Sequence, residues 1–526
     1  MFRTKDTQMS LLELQYYLPE KLQEGLRASW AHAFRSDIMP AIPEEEFRGL
    51  YAEDEGRPCV PVAILIGLSV IKENFQCTDS RLIEALQYDL LVQYALRVDP
   101  FQAQISIRTI YNFRERVMSS PALKETFFAI LDEIINKASI KTSFQRLDSK
   151  HFRSNMAKLA RLQLFVRTIE KFLRSLGAGD LATVSEDLRK RYMEREGYFA
   201  DVSPRDAKRN LDQAAKDILT LLTLFGGNDA VISTEAFGLL ERLFVEQCYR
   251  PSEFEAFPRP ADEIPSDSLQ NPSDPDAAYS RHKGEGYQVQ IAETCNADNP
   301  LQVVTDFEVQ KANVSDFKSL QPVIESLDER GHKPDIIAVD AGYVSGENIV
   351  ACEEQGVSLL GPAATGRPAQ NEKTSLAEFE VGINDRICGC PEGAKPIYCS
   401  EREDGSFLVQ FDSERCRQCD KRDRCPVSKR GRLTYTKPEL VLACRKKEQR
   451  APEFKDAYKI RSGIEATNSD LNTAHGARKV WTRGVHRVSL AMTFKIMALN
   501  VRRYTQYAAG VIRRKMNGLL LRALNR

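Results

Sequence analysis

Two short strand-like stretches each run out onto an aspartate, and no other feature of the chain restricts its fold as much. Gln145-Arg146-Leu147-Asp148-Ser149 leaves a helical stretch as a short strand ending at Asp148. Ile336-Ile337-Ala338-Val339-Asp340 has the continuous apolar character of a fully buried strand and ends at Asp340. Between them Tyr287–Glu293 alternates as a strand with one buried face does, Gln302–Glu308 reads as a second strand, and Asp316–Asp328 as a helix. Strands, a helix and a further buried strand in this order suit a mixed sheet flanked by helices, an α+β arrangement.

The rest of the chain is helical in pattern. Residues 1–135 hold a buried helix at Val60–Phe75, an amphipathic one at Asp79–Val98, and a third capped by Ser106. In the third, Ile107, Ile110, Phe113 and Val117 form an apolar stripe, opposite Arg108, Asn112, Arg114 and Arg116. That polar face suits a recognition helix in a DNA groove, and equally the outer face of a helical bundle. Residues 155–250 return to helical periodicity. Pro251–Pro275, rich in Pro, Ser, Asp and Glu, reads as an exposed linker. The longest apolar run, Val60 to Ile71, is too short to span a bilayer, and the polar amino terminus shows no secretory signal. An intracellular protein of roughly three domains with no membrane partner is expected.

The 74 basic and 74 acidic residues cancel, but unevenly. Residues 426–526 hold 23 Lys+Arg against 6 Asp+Glu, a balance of +17, and the remainder carries −17. So dense a basic segment is the footprint of a polyanion site, against the plainer reading of a solvated helical face. Within it lies Tyr458-Lys459-Ile460-Arg461-Ser462-Gly463-Ile464-Glu465. Read as one α-helix, it sets Tyr458, Arg461 and Glu465 on one side. A carboxylate among cations that face phosphates needs an offset, and a divalent metal with oxygen ligands supplies one. Asp148 and Asp340 at strand ends and Glu465 on a helix form a set of hard ligands able to hold two metal ions for an in-line phosphoryl displacement. Taken singly, each has a plain structural reading: a strand-end cap for Asp148, an Asx turn for Asp340, a surface pair with Arg461 for Glu465.

In combination, Asp148-Ser149-Lys150-His151-Phe152-Arg153-Ser154-Asn155-Met156-Ala157-Lys158, Asp340-Ala341-Gly342-Tyr343-Val344-Ser345-Gly346-Glu347-Asn348, and Tyr458-x2-Arg461-x3-Glu465 followed by Arg483-Gly484 resemble insertion-sequence transposases of the DDE superfamily. The resemblance implies an RNase H-like core akin to retroviral integrases and a helical N-terminal DNA-binding region. It implies catalytic, metal-binding acids at Asp148, Asp340 and Glu465, holding two Mg²⁺ or Mn²⁺ ions. DNA contacts are expected from Tyr458 and Arg461, from Arg478, Lys479 and Arg483, and from Arg108 and Arg114. Relatives often carry a lysine seven residues after the glutamate; this chain has Asn472, which keeps a donor without the charge, so Arg478 or Lys479 is expected to take that role. The expected layout is 1–140 helical and DNA-binding, 141–154 first core strand, 155–255 helical insertion, 276–361 core, 362–445 a cysteine-bearing insertion, and 446–526 the glutamate helix with basic C-terminal helices, among them Arg502, Arg503, Arg513, Arg514 and Lys515. The implied activity is metal-dependent cleavage at transposon ends and strand transfer into target DNA, by a homodimer on its terminal inverted repeats in the nucleoid of a prokaryotic cytoplasm. The alternatives are a catalytically weakened DNA-binding derivative and a nuclease that cuts without joining.

Six cysteines (Cys388, Cys390, Cys399, Cys416, Cys419, Cys425) fall within 38 residues. Cys390, Cys416, Cys419 and Cys425 resemble a four-cysteine zinc site, with one C-x2-C pair and a Cys390-Pro391-Glu392-Gly393 turn, against the reading of reduced, half-buried thiols. His475 and His486 are expected to contact DNA or cap helices.

Overall fold

The computed structural model describes residues 1–5, 14–53, 56–99, 104–118, 120–194, 204–364 and 374–524. At its centre is a mixed six-stranded sheet: β1 (Phe144–Phe152), β2 (Ala278–Ser280), β3 (Gly284–Thr294), β4 (Val304–Lys311), β5 (Ile336–Ala338) and β6 (Ser358–Leu360). The order is β2-β3-β1-β5-β6, with β4 also on β3. β3 is antiparallel to β1, β2 and β4, whereas β1, β5 and β6 run parallel. Three antiparallel strands passing into parallel ones, with helices on the faces, is the RNase H-like α+β architecture that the sequence resemblance implied.

Alternation along β1 divides the core. Leu147 points into a cluster with Leu320, Val323 and Ile324 of the Asp316–Glu329 helix and with Ile349 of the Gly346–Glu354 helix. On the opposite face, Phe152 lies across from Tyr287, Lys150 from Val289, Asp148 from Ile291 and Arg146 from Glu293. Phe152, Tyr287, Val289 and Ile291 share one apolar cluster with the N-terminal helices and with Val488, Met492, Ile496 and Leu499 of the long C-terminal helix Val485–Leu524. The N-terminal helices therefore lie within the same core as the sheet. The Val62–Phe75 helix is buried from Val62 to Ile71 except at Ile64 and ends where Gln76 turns left-handed, as its all-round apolar run requires. Ser106 caps the Ile107–Val117 helix by accepting from the Thr109 amide, and Ile110, Phe113 and Val117 are buried.

The helices between Arg161 and Gln247 have their own apolar core around Phe165, Phe172, Leu240 and Leu243. A three-stranded sheet (Tyr398–Glu401, Ser406–Gln410, Arg432–Thr436) organises another cluster around Phe407, Phe411 and Tyr435. The Pro251–Pro275 stretch is exposed over much of its length, as its composition suggests, but not throughout. It contributes to a hairpin (Cys248–Ser252 with Glu255–Pro258) and buries Ser268, Leu269, Asn271 and Asp274. Asp274 accepts from the Tyr287 hydroxyl at 2.7 Å and from the Gly484 amide at 3.0 Å, so polar residues here serve as internal hydrogen-bond partners. Among the described residues no helix is long and apolar enough to cross a membrane.

One buried ionic cluster fixes the last helices to the sheet. Glu293 on β3 is fully buried and accepts from Arg146 Nε at 2.8 Å and from Arg503 Nη1 at 2.6 Å. Arg503 Nη2 also donates to Thr467 Oγ1 at 2.7 Å, Thr467 donates to Glu293, and Arg146 Nη1 donates to the Ile460 carbonyl at 3.0 Å. Arg503, expected among the exposed C-terminal cations, is thus mostly inside. Gly463 passes so close to Arg146 that an added Cβ would collide with its guanidinium. Gly463→Ala is therefore expected to lower stability by about 2–4 kcal/mol, through overpacking and a disturbed buried ion pair. A urea midpoint unchanged from wild type would refute this.

Candidate active site

The strand register brings the two aspartates together. On parallel neighbours, Phe144 pairs with Ile336 and Arg146 with Ala338. Carried two residues beyond the last recorded pair, the same register leads Asp148 and Asp340 to the same end of the sheet, where one guanidinium reaches both. The pairing with β5 stops at Ala338 and Asp340 lies just beyond it, whereas β1 continues to Phe152 against β3 rather than ending at Asp148. Asp148 is therefore the more enclosed: its side chain is 13% exposed, that of Asp340 36%. Asp340 Oδ1 accepts from the Gly342 amide at 2.7 Å, so it forms the Asx turn and still has its other oxygen directed at the site.

Arg461 is the cation between them. Its Nη2 lies 2.8 Å from Asp148 Oδ1 and 3.6 Å from Asp340 Oδ2. Burial, the largest effect, pushes the Asp148 carboxyl above the usual carboxylate range; Arg461 opposes this and the Asp340 charge adds to it. Tyr458 is half-buried, with its ring stacked on Phe454. Its phenol is raised mainly by burial, Arg461 opposing and the charges of Asp340 and Asp148 adding to the rise.

The Tyr458–Glu465 element is not one α-helix. The Pro452–Tyr458 helix passes into a 3₁₀ turn, Lys459–Gly463, and a new α-helix, Ile464–Thr473, begins one residue before the glutamate. The tighter turn still puts Tyr458 and Arg461 on one side, since residues three apart eclipse in a 3₁₀ helix. Glu465 is exposed and makes no hydrogen bond or ion pair among the described residues, so the surface pair with Arg461 does not form. Asn468, one turn later on the same helical face, donates to Asp148 Oδ2 at 3.2 Å. The structure thus brings together Asp148, Asp340, Arg461 and Asn468. Glu465 lies on the helix face that Asn468 turns toward Asp148.

The donor chemistry suits a hard divalent cation. Two adjacent carboxylates are accompanied by the Asn468 side-chain oxygen, which is buried without a hydrogen-bond partner, as is that of Asn472. Among the described residues no three His, Cys, Asp or Glu side chains form a metal-holding group; the two aspartates and the Asn468 amide oxygen are the residues here that could contribute ligands.

The expected DNA contacts divide. Arg478, Lys479 and Arg483 lie on a segment running beside 153–155: Arg153 donates to the Arg478 carbonyl, Val480 to the Arg153 carbonyl and Asn155 to the Thr482 carbonyl. Arg478 and Arg483 are exposed, and the Lys479 ammonium lies over the Trp481 ring. Arg108 is exposed too, but Arg114 is engaged in a two-pronged ion pair with Asp79 at 2.7 and 2.8 Å. His475 is fully buried and lowered to about 4 by that burial, which makes it a neutral core residue. Cys390, Cys416, Cys419 and Cys425 line one cavity of about 290 Å³, and Cys390 Sγ accepts from the Ala394 amide at 3.2 Å.

Sequence reasoning passed over Asn468, Arg146 and Glu293. A signal was present for the last: in Tyr287–Glu293, Glu293 shares the parity of Tyr287, Val289 and Ile291, and an acid on a buried face requires a cationic partner.

Comparison with known protein families matches residues 389–505 to the transposase DDE domain and residues 29–116 to the transposase domain DUF772. The first span takes in Glu465 but neither Asp148 nor Asp340. No curated protein and no solved structure matches the chain. One match on the helical N-terminal region and one across the glutamate helix, each over a minor part of the chain, support an insertion-sequence transposase of the DDE type.

Proposed function

We propose that this transposase cuts the ends of its element and joins the freed 3′ ends to target DNA at a site made of Asp148, Asp340 and Glu465. The observation that carries the reading is the placement of Asp148 and Asp340 at the same end of adjacent parallel strands, with one guanidinium between them. Asp148 and Asp340 would hold a divalent cation, with Glu465 completing the set from the helix. The chemistry such cations supply is activation of the attacking water or hydroxyl and neutralisation of charge on the scissile phosphate. Arg461 keeps two like charges together and offers donors for a phosphate oxygen beside them. Asn468 orients Asp148 through its second oxygen. The cations of 478–483 extend the same surface along the DNA backbone, and a homodimer pairing two ends is the proposed working form.

The cysteine cavity is proposed to hold a structural zinc. Cys390, Cys416, Cys419 and Cys425 all line it, which supports the reading, and zinc would have to draw them together, because among the described residues no three of them stand as a formed ligand group. Elemental analysis of the purified chain is expected to give one zinc; less than half an equivalent rejects the site.

Asp340→Asn should reduce Mg²⁺-dependent cleavage of end DNA at least a hundredfold while leaving DNA binding intact. Retained cleavage would sink the assignment, and cleavage by the wild type without joining would favour the nuclease reading. Binding should weaken steeply with salt. Removing Arg478 and Arg483 together should flatten the slope of log K against log salt by about 2, whereas Arg114→Ala should leave it unchanged.

A further inference from the structure

Trp481 is one of two tryptophans in the chain, and its side chain is 79% exposed. Tryptophan is among the most buried residues on average, so an indole standing in solvent calls for an explanation. The backbone beneath it is firmly held. Val480 is buried and donates to the Arg153 carbonyl at 2.8 Å, and Asn155 donates to the Thr482 carbonyl at 3.0 Å. Because that pairing is strand-like, turning Val480 inward turns Trp481 outward. The Lys479 ammonium lies 4.9 Å from the centre of the indole ring, and Arg478 and Arg483 flank it with exposed side chains. An aromatic platform among three cations, on a segment running beside the continuation of the strand that carries Asp148, is the combination that binds unpaired nucleic acid: cations take phosphates and the ring takes a base.

We propose that Trp481 is a stacking platform for an unpaired or terminal base of the DNA held at the carboxylate site, an assignment that rests on the DNA-cleaving reading above. The parallel bridge of Arg153 with Lys479 puts Trp481 level with Asn155, seven residues beyond Asp148 and roughly 23 Å away at about 3.3 Å per residue. At 3.4 Å per base step, the stacked base lies about seven steps from the phosphate under attack.

The test uses the full chain with Trp30→Phe, which leaves Trp481 as the sole indole; Trp30 packs edge-on against Phe34 and Phe75, where another aromatic ring is conservative. Labelled element-end duplexes, blunt or with a single-stranded overhang, are followed by anisotropy for binding and by indole emission for stacking. Quenching that accompanies binding, stronger with the overhang, is the expected result. Trp481→Ala should weaken overhang binding roughly five- to a hundredfold, with Trp481→Phe retaining most of it. Binding with unchanged indole emission and a wild-type affinity for Trp481→Ala overturns the platform and leaves the transposase reading standing. No binding of either duplex overturns both. Emission that follows self-association without DNA assigns the indole to a protein interface and overturns the proposal. If Trp30→Phe does not fold, the quench difference between wild type and Trp481→Phe gives the same readout.

Discussion

A carboxylate with no access to water governs the arrangement of this site. Glu293 is buried on β3 between Arg146 and Arg503, with Thr467 as a third donor. A lone buried charge costs several kcal/mol, so the glutamate holds its partners wherever they sit in the chain. Arg146 lies on β1 two residues before Asp148, Thr467 lies on the glutamate helix beside Asn468, and Arg503 lies on the C-terminal helix. One acid thereby sets the glutamate helix against the strand that carries Asp148. The distances between Asp148 and the helix residues follow from this lock, which touches neither the aspartates nor Arg461.

Charge at the site itself is balanced more loosely. Burial is the main influence against ionisation of Asp148, Arg461 opposes it, and the neighbouring Asp340 charge adds to it. One guanidinium serves both, at two distances, with its Nε atom buried and unbonded. Asp148 is the more enclosed of the two acids and Asp340 the more exposed, so the single guanidinium spans from the protein interior to its surface.

Much of this could be read from residue patterns. The apolar run of Val60–Phe75, the Ser106 cap and the alternation of Tyr287–Glu293 are local signals, governed by periodicity and capping, and they reappear in the fold, the first as a helix from Val62. The acids at 148 and 340 were legible because each follows a strand-like run within a distinctive motif. Other readings missed for physical reasons. Arg503 and Arg114 look like solvated cations in sequence, but each has a carboxylate partner far along the chain. Pro251–Pro275 reads as a linker because polar residues are common in linkers, yet Asp274 is polar in order to satisfy a buried tyrosine. The single helix expected from Tyr458 to Glu465 breaks at a 3₁₀ turn where Gly463 packs against Arg146, a contact no local pattern records.

By itself the sequence determined the chemical inventory: two aspartates on strand-like runs, a glutamate on a helix, four clustered cysteines and a basic carboxyl-terminal fifth. These follow from short-range rules, since periodicity, caps and composition act within a few residues. Only the tertiary structure decided that Asp148 and Asp340 stand at the same end of the sheet, because register is set by hydrogen bonds between strands almost two hundred residues apart. It alone decided which cations are consumed internally and which, like those around Trp481, remain outside. The cause is the same in each case: buried charges and unpaired donors must find partners, and those partners are chosen by proximity in space.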